Sequence, residues 1–256
     1  MKKKWLIGLM ALCLSCATVA FVGCRVGGNG DSTGGDGDTS GGNGNTNTEQ
    51  GGGGEENEDS TPVIAEGLWY EESADGTYYT IRGTGGCRAK NIIIPSTYND
   101  KPVKAIQEYA FKYSELKSVV IPDSITEMGV GVFHECDSLQ SVLIGNGVTE
   151  IPQGTFYSCD ELTNVTIGER VETIGKEAFY EDKKLANVVI PDSVKTIEED
   201  VFKRCESIWT VVIGESLEEI GNNAFEDCYK LVEVVNRSTN IKIGRASCRE
   251  RVCLSV

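Results

Sequence analysis

Leucine or isoleucine returns every 23 residues, at Leu116, Leu139, Leu162, Leu185, Ile208 and Leu231, and this period limits the fold more than any other feature of the chain. The remaining apolar positions keep the same step. With the leader as position 1, positions 4 and 6 read Val119/Ile121, Val142/Ile144, Val165/Ile167, Val188/Ile190 and Val211/Ile213. Positions 10 and 13 read Ile125/Met128, Val148/Ile151, Val171/Ile174, Val194/Ile197 and Leu217/Ile220. Position 18 is phenylalanine throughout, at Phe133, Phe156, Phe179, Phe202 and Phe225. A less regular leading copy runs through Ile92, Ile94, Val103, Ile106 and Phe111, with four extra residues around Ser96 to Pro102. A fixed period of this size marks a solenoid, in which one unit cannot bury its apolar face alone and neighbours must cover it.

Alternation at positions 3 to 6 predicts a short strand with 4 and 6 inward and 3 and 5 outward. Pro122, Gly145, Gly168, Pro191 and Gly214 end that strand, because neither residue suits a strand interior. A second extended piece carries positions 10 and 13. A helical turn then brings a small residue (Val132, Thr155, Ala178, Val201, Ala224) and its phenylalanine into the core. Ahead of the array, Asp75-Gly76 between Leu68-Trp69-Tyr70 and Thr77–Ile81 is a hairpin signal. The predicted fold is therefore an α/β solenoid rich in β-structure. Its right-handed stack of 23-residue copies covers 89–242, as a leading copy, five full copies and a truncated last one. A β-hairpin cap over 63–88 covers the first apolar face.

The flanks have other characters. Lys2, Lys3 and Lys4 precede an uncharged run from Trp5 to Gly23, which reads as an export signal over 1–23. Phe21-Val22-Gly23-Cys24 resembles the bacterial lipobox and implies lipidation of Cys24. An uncleaved anchor and plain secretory cleavage are the alternatives, and all three export the chain. Residues 27–60 hold no aliphatic or aromatic side chain, so 24–62 reads as the lipid-bearing cysteine and a disordered tether. A Gly-rich coil of that length reaches about 30–35 Å. From Ile243 the pattern collapses into Gly244-Arg245-Ala246-Ser247-Cys248-Arg249-Glu250-Arg251, which resembles a translated sequencing-adapter oligonucleotide. Residues 243–256 are read as foreign to the protein.

Charge and composition exclude several functions. A formal charge of −15 makes nucleic acid and anionic membrane surfaces poor partners, leaving the membrane only through the lipid. His134 is the sole histidine, so a two-histidine metal site is impossible and no cofactor is expected. Position 21 is a cysteine column, Cys136, Cys159, Cys205 and Cys228, interrupted by Asp182. Stacked copies hold such side chains about 4.8 Å apart and parallel, which suits a thiol ladder better than disulfides. Glu127, Glu150, Glu172, Glu218 and Glu219 lie between core positions and read as solvated. No cluster of exposed aromatic residues suggests a carbohydrate site.

The plausible working surface is the outward strand face. Its positions 3 and 5 read Ser118/Val120, Ser141/Leu143, Asn164/Thr166, Asn187/Val189 and Thr210/Val212, an uncharged strip on an acidic chain, with Trp209 beside it. Candidate ligand-binding residues are Trp209, Val120, Leu143, Thr166, Val189, Val212, Asn164 and Asn187. The alternative is a solvated sheet of ordinary β-formers.

The consensus Leu-x-x-Val-x-Ile-Pro-x-Ser-Val-x-x-Ile-Gly-x-x-Ala-Phe-x-x-Cys resembles the BspA-type (treponemal-class) leucine-rich repeat, over roughly Tyr78 to Ile243. That resemblance implies a bacterial surface protein, not an enzyme, that adheres to a host, matrix or other bacterial surface protein. A rod that is only the spacer or docking module of a larger surface enzyme is the alternative.

Overall fold

The computed structural model describes residues 61–239 and 241–244. Cys24, the glycine-rich stretch 27–60 and the chain beyond Gly244 lie outside the described residues.

Each copy contributes one strand to a principal parallel sheet. In spatial order these are Val63–Ile64, Asn91–Ile93, Ser118–Ile121, Ser141–Ile144 and Asn164–Thr166, then a second group of Asn187–Val189, Thr210–Ile213 and Glu233–Asn236. The register is one full period, with Val119 opposite Val142 and Val188 opposite Val211. A narrower parallel sheet stacks Glu150–Ile151, Thr173–Ile174, Thr196–Ile197, Glu219–Ile220 and Lys242–Ile243. Alternation explains the core. Side chains at positions 4, 6, 10, 13 and 18 turn inward, and most are fully buried in one continuous apolar cluster. Its axis is a column of phenylalanine rings, Phe111, Phe133, Phe156, Phe179, Phe202 and Phe225, stacked 5.1–5.5 Å apart and within 17° of parallel.

The expected helical turn is absent, and no helix occurs among the described residues. Positions 16 and 20 are left-handed in successive copies, for example Glu177 and Glu181 at φ 57° and 62°, and Asp200 and Arg204 at 58° and 62°. Two such residues four apart cannot sit in a right-handed helix. The segment instead forms consecutive turns whose amides point along the stack. Gly154, Phe156 and Ser158 N–H donate to the carbonyls of Lys176, Ala178 and Tyr180 in the next copy at 2.9, 2.8 and 2.8 Å. The same bonds recur at each step, so the turns make a third ladder that satisfies backbone groups a core-facing loop would otherwise strand.

At the N-terminal end Trp69–Glu72 and Tyr79–Gly83 form the hairpin around Asp75-Gly76. Asp75 accepts bonds from Ser73 Oγ and from Thr77 N–H and Oγ, which hold its carboxyl down to about 2. Tyr79–Gly83 pairs with Lys101–Ile106, while Val63–Ile64 separately covers the principal sheet by pairing with Ile92–Ile93. The extra residues of the leading copy close a second hairpin, with Asn99 and Asp100 at φ 46° and 61° in its two-residue turn. At the other end Ile243 stands opposite Ile220, and Gly244 N–H donates to the Ile220 carbonyl.

Among the described residues the principal sheet is interrupted once, between Asn164–Thr166 and Asn187–Val189, whereas the narrow sheet and the turn ladder run straight through. The same step lacks a second device. Asp123, Asn146 and Asp192 at position 8 each accept the backbone N–H of the next copy, at 2.6, 2.8 and 3.1 Å. The third copy has Glu169 there, one methylene longer, and makes no such bond to Asp192. Glu172–Lys195, Lys176–Glu199 and Glu181–Arg204 ion pairs bridge this step, but exposed pairs are each worth about 0–1 kcal/mol. Glu169→Asp is expected to restore the missing bond and add about 1 kcal/mol of stability, read as a higher urea midpoint at unchanged slope. An unchanged midpoint would show that the break is set elsewhere.

Candidate functional site

The strand ladder places the predicted face residues in two columns. Val120 lies opposite Leu143 and Leu143 opposite Thr166; across the interruption, Val189 lies opposite Val212. Asn164 and Asn187 occupy the two sides of the break. Leu143, Asn164, Thr166, Asn187 and Val189 are exposed, whereas Val120 and Val212 are half-buried. Trp209 is 53% exposed and precedes Thr210–Ile213; its N–H donates to the Ala186 carbonyl, and its carbonyl accepts from Val232. Val189, Trp209, Val232 and Val235 therefore put exposed apolar surface on the C-terminal half of the face. No charged side chain occupies positions 3 or 5 from Ser118 to Val212.

The position-21 thiols are free and committed to structure. Cys136, Cys159, Cys205 and Cys228 each donate to the carbonyl of the phenylalanine in the preceding copy, at 3.0, 3.1, 2.9 and 3.1 Å. Burial pushes the Cys159 and Cys205 thiols well up, which suppresses the nucleophilic thiolate. Asp182 is fully buried where the third copy would carry its thiol. Its Oδ1 accepts the Cys159 N–H at 2.8 Å, and its Oδ2 has no hydrogen-bond partner. With no cation against it, burial raises this carboxyl well above the usual carboxylate range.

Sequence reasoning missed one surface. On the turn side, His134, Tyr157 and Tyr180 at position 19 stack face to face at 4.6 and 4.9 Å. Tyr109 meets His134 edge-on at 6.0 Å. Gly131 makes room for the Tyr109 ring, which a Cβ there would strike. His134 Nδ1 lies 3.0 Å from Glu135 Oε1 without hydrogen-bond alignment. Desolvation and the Lys112 charge hold its imidazole below the ordinary value. His134 is thus a half-covered ring in a column rather than a free surface side chain.

Parallel strands at a 23-residue register, a phenylalanine spine and a backbone turn ladder define a leucine-rich-repeat solenoid. Six copies of the BspA type leucine-rich repeat region match residues 104–232, and the chain belongs to that family. The leucine-rich repeat protein of T. pallidum is similar at 25% identity and TM-score 0.64, over 72% of this chain and 86% of that one. A leucine-rich cell surface protein of Faecalibacterium prausnitzii is similar at 28% identity and TM-score 0.53, over 70% of this chain and 56% of that one. Among curated proteins none matches significantly.

Proposed function

We propose that this chain is a non-catalytic protein-binding module displayed outside the cytoplasm, held to the envelope through lipid on Cys24, with the principal strand face as its working surface. One observation carries the reading: a chain of net charge −15 keeps positions 3 and 5 of the strand face uncharged from Ser118 to Val212, with Val189, Trp209 and Leu143 in the open. Exposed apolar surface of this kind marks interaction sites, and tryptophan is enriched among residues that dominate binding energy. Family membership and a cell-surface relative are consistent with display to a host, matrix or neighbouring bacterial protein.

The test is a panel of immobilised matrix and host-surface proteins probed with the parent, Trp209→Ala and Val189→Asp. Trp209→Ala is expected to weaken capture by about 30-fold, as loss of a central aromatic anchor does. Variants that bind as well as the parent would remove the strand face from the site. The tether is tested separately, by the mass of the mature N-terminus, which should be a lipidated Cys24.

A further inference from the structure

We infer that the turn side carries a second binding surface, independent of the strand face, which takes an extended polypeptide segment bearing lysines or arginines. Its core is the aromatic column of Tyr109, His134, Tyr157 and Tyr180, joined by Tyr113. This column already seats cations of its own. Lys112 Nζ stands 5.3 Å from the Tyr109 ring centroid and 4.6 Å from that of Tyr113, and the Arg204 guanidinium stands 5.9 Å from Tyr180. Aromatic rings attract such groups through the negative potential of their faces. Tyr109 and Tyr113 are 46% and 63% exposed, so a further cation can reach them.

Past Tyr180 the column opens into a surface groove of about 330 Å³ lined by Glu181, Lys183, Arg204, Glu206, Asp227 and Tyr229. Both bases there are engaged, Lys183 with Asp160 and Arg204 with Glu181. Glu206 and Asp227 form no ion pair among the described residues, although each acts on a neighbouring base, Glu206 on Lys183 and Asp227 on Arg204, so the groove, with three carboxylates to two bases, keeps a negative excess beside the exposed Tyr229 ring. Glu177 extends the same sign along the column, whereas Glu135 is offset by Lys112 at 3.9 Å and Lys203, next at position 19, is held by Asp200 and Glu226. The charge therefore complements a cationic ligand, and the chain's overall −15 steers one inward. From Tyr109 to Tyr229 the surface crosses five steps, about 24 Å at 4.8 Å each, which an extended segment of about seven residues spans.

The experiment titrates the full chain with a fluorescently labelled peptide of alternating arginine and glycine, and with its glutamate counterpart, in physiological salt. The double variant Tyr113→Asn/Tyr229→Ser leaves net charge unchanged, and asparagine tolerates the φ of 62° at position 113. Its fold is checked by thermal melting. Each exposed ring is expected to contribute about threefold, so the double variant binds the arginine peptide about tenfold more weakly. The glutamate peptide is expected not to bind, and Trp209→Ala is expected to bind the arginine peptide like the parent. Equal binding by the tyrosine variant would reduce the effect to general charge attraction and overturn the inference. A loss caused by Trp209→Ala would overturn it as well, by assigning the peptide to the strand face, and so would the absence of any binding by the parent.

Discussion

Phe156→Ala is expected to destabilise the array by about 3–5 kcal/mol, the range for removing a buried aromatic side chain. Phe156 lies between Phe133 and Phe179 at 5.5 and 5.1 Å, so its removal breaks two stacked contacts and leaves a void mid-column. The turn ladder fixes the backbone on both sides of that void and hinders collapse, which places the cost high in the range. Among the described residues Phe225 has a stacked ring on one side, from Phe202 at 5.3 Å, and Phe225→Ala should cost about 1 kcal/mol less. Stability in a stack is carried by neighbour interfaces, so Phe156→Ala should also lower the urea slope as the two halves uncouple. Equilibrium urea unfolding checks both. A loss below about 1.5 kcal/mol, within reach of a solvent-facing site, would mean that the rings do not form the spine.

Asp182→Asn is expected to gain stability relative to the parent as pH rises. An ordinary aspartate titrates near 3.9 in the unfolded chain, whereas burial keeps Asp182 protonated to much higher pH in the fold. Below the unfolded value both states hold the proton, and the contribution of this group to stability is complete. Between the unfolded and folded values only the native state holds it, so parent stability declines as pH rises, by about 1.4 kcal/mol per pH unit, and levels off above the folded value. Asparagine keeps the shape, cannot ionise, and lacks that slope. The difference between variant and parent midpoints, measured from pH 4 upward, should therefore widen and then plateau. A difference that stays constant across that range would show Asp182 to be ionised in the fold. Asp182→Cys offers a second route, because it restores the thiol that the Phe156 carbonyl lacks while its counterparts at Phe133 and Phe179 each accept one.

The period, the inward positions and the phenylalanine spine were legible in the sequence because burial acts on side-chain type, and type repeats in register. The turn ladder was not. Left-handed backbone is usually announced by glycine, but here Glu177, Glu181, Asp200 and Arg204 adopt it, and their spacing with an inward phenylalanine looks helical. The interruption of the principal sheet was equally hidden, since Val165 and Val188 keep the apolar pattern across a step where the backbones do not pair. The exposed strip of Leu143, Asn164, Asn187 and Val189 followed directly from strand alternation. The aromatic column did not, because Tyr109 and Tyr113 belong to a leading copy whose phenylalanine stands 22 rather than 23 residues before the next, which takes them out of the common count. His134, Tyr157 and Tyr180 share position 19 and are aligned by the period itself, so only Tyr109 needed the fold to join them.

The turn ladder has a genetic corollary. Every unit ends in the same row of donors and begins with the matching row of acceptors, so excising or duplicating one whole unit rejoins compatible surfaces. Unequal crossing-over can then lengthen or shorten the protein in quanta of one period, each changing its span by about 4.8 Å, while an insertion of another size must be looped out, as the extra residues of the leading copy are in their hairpin.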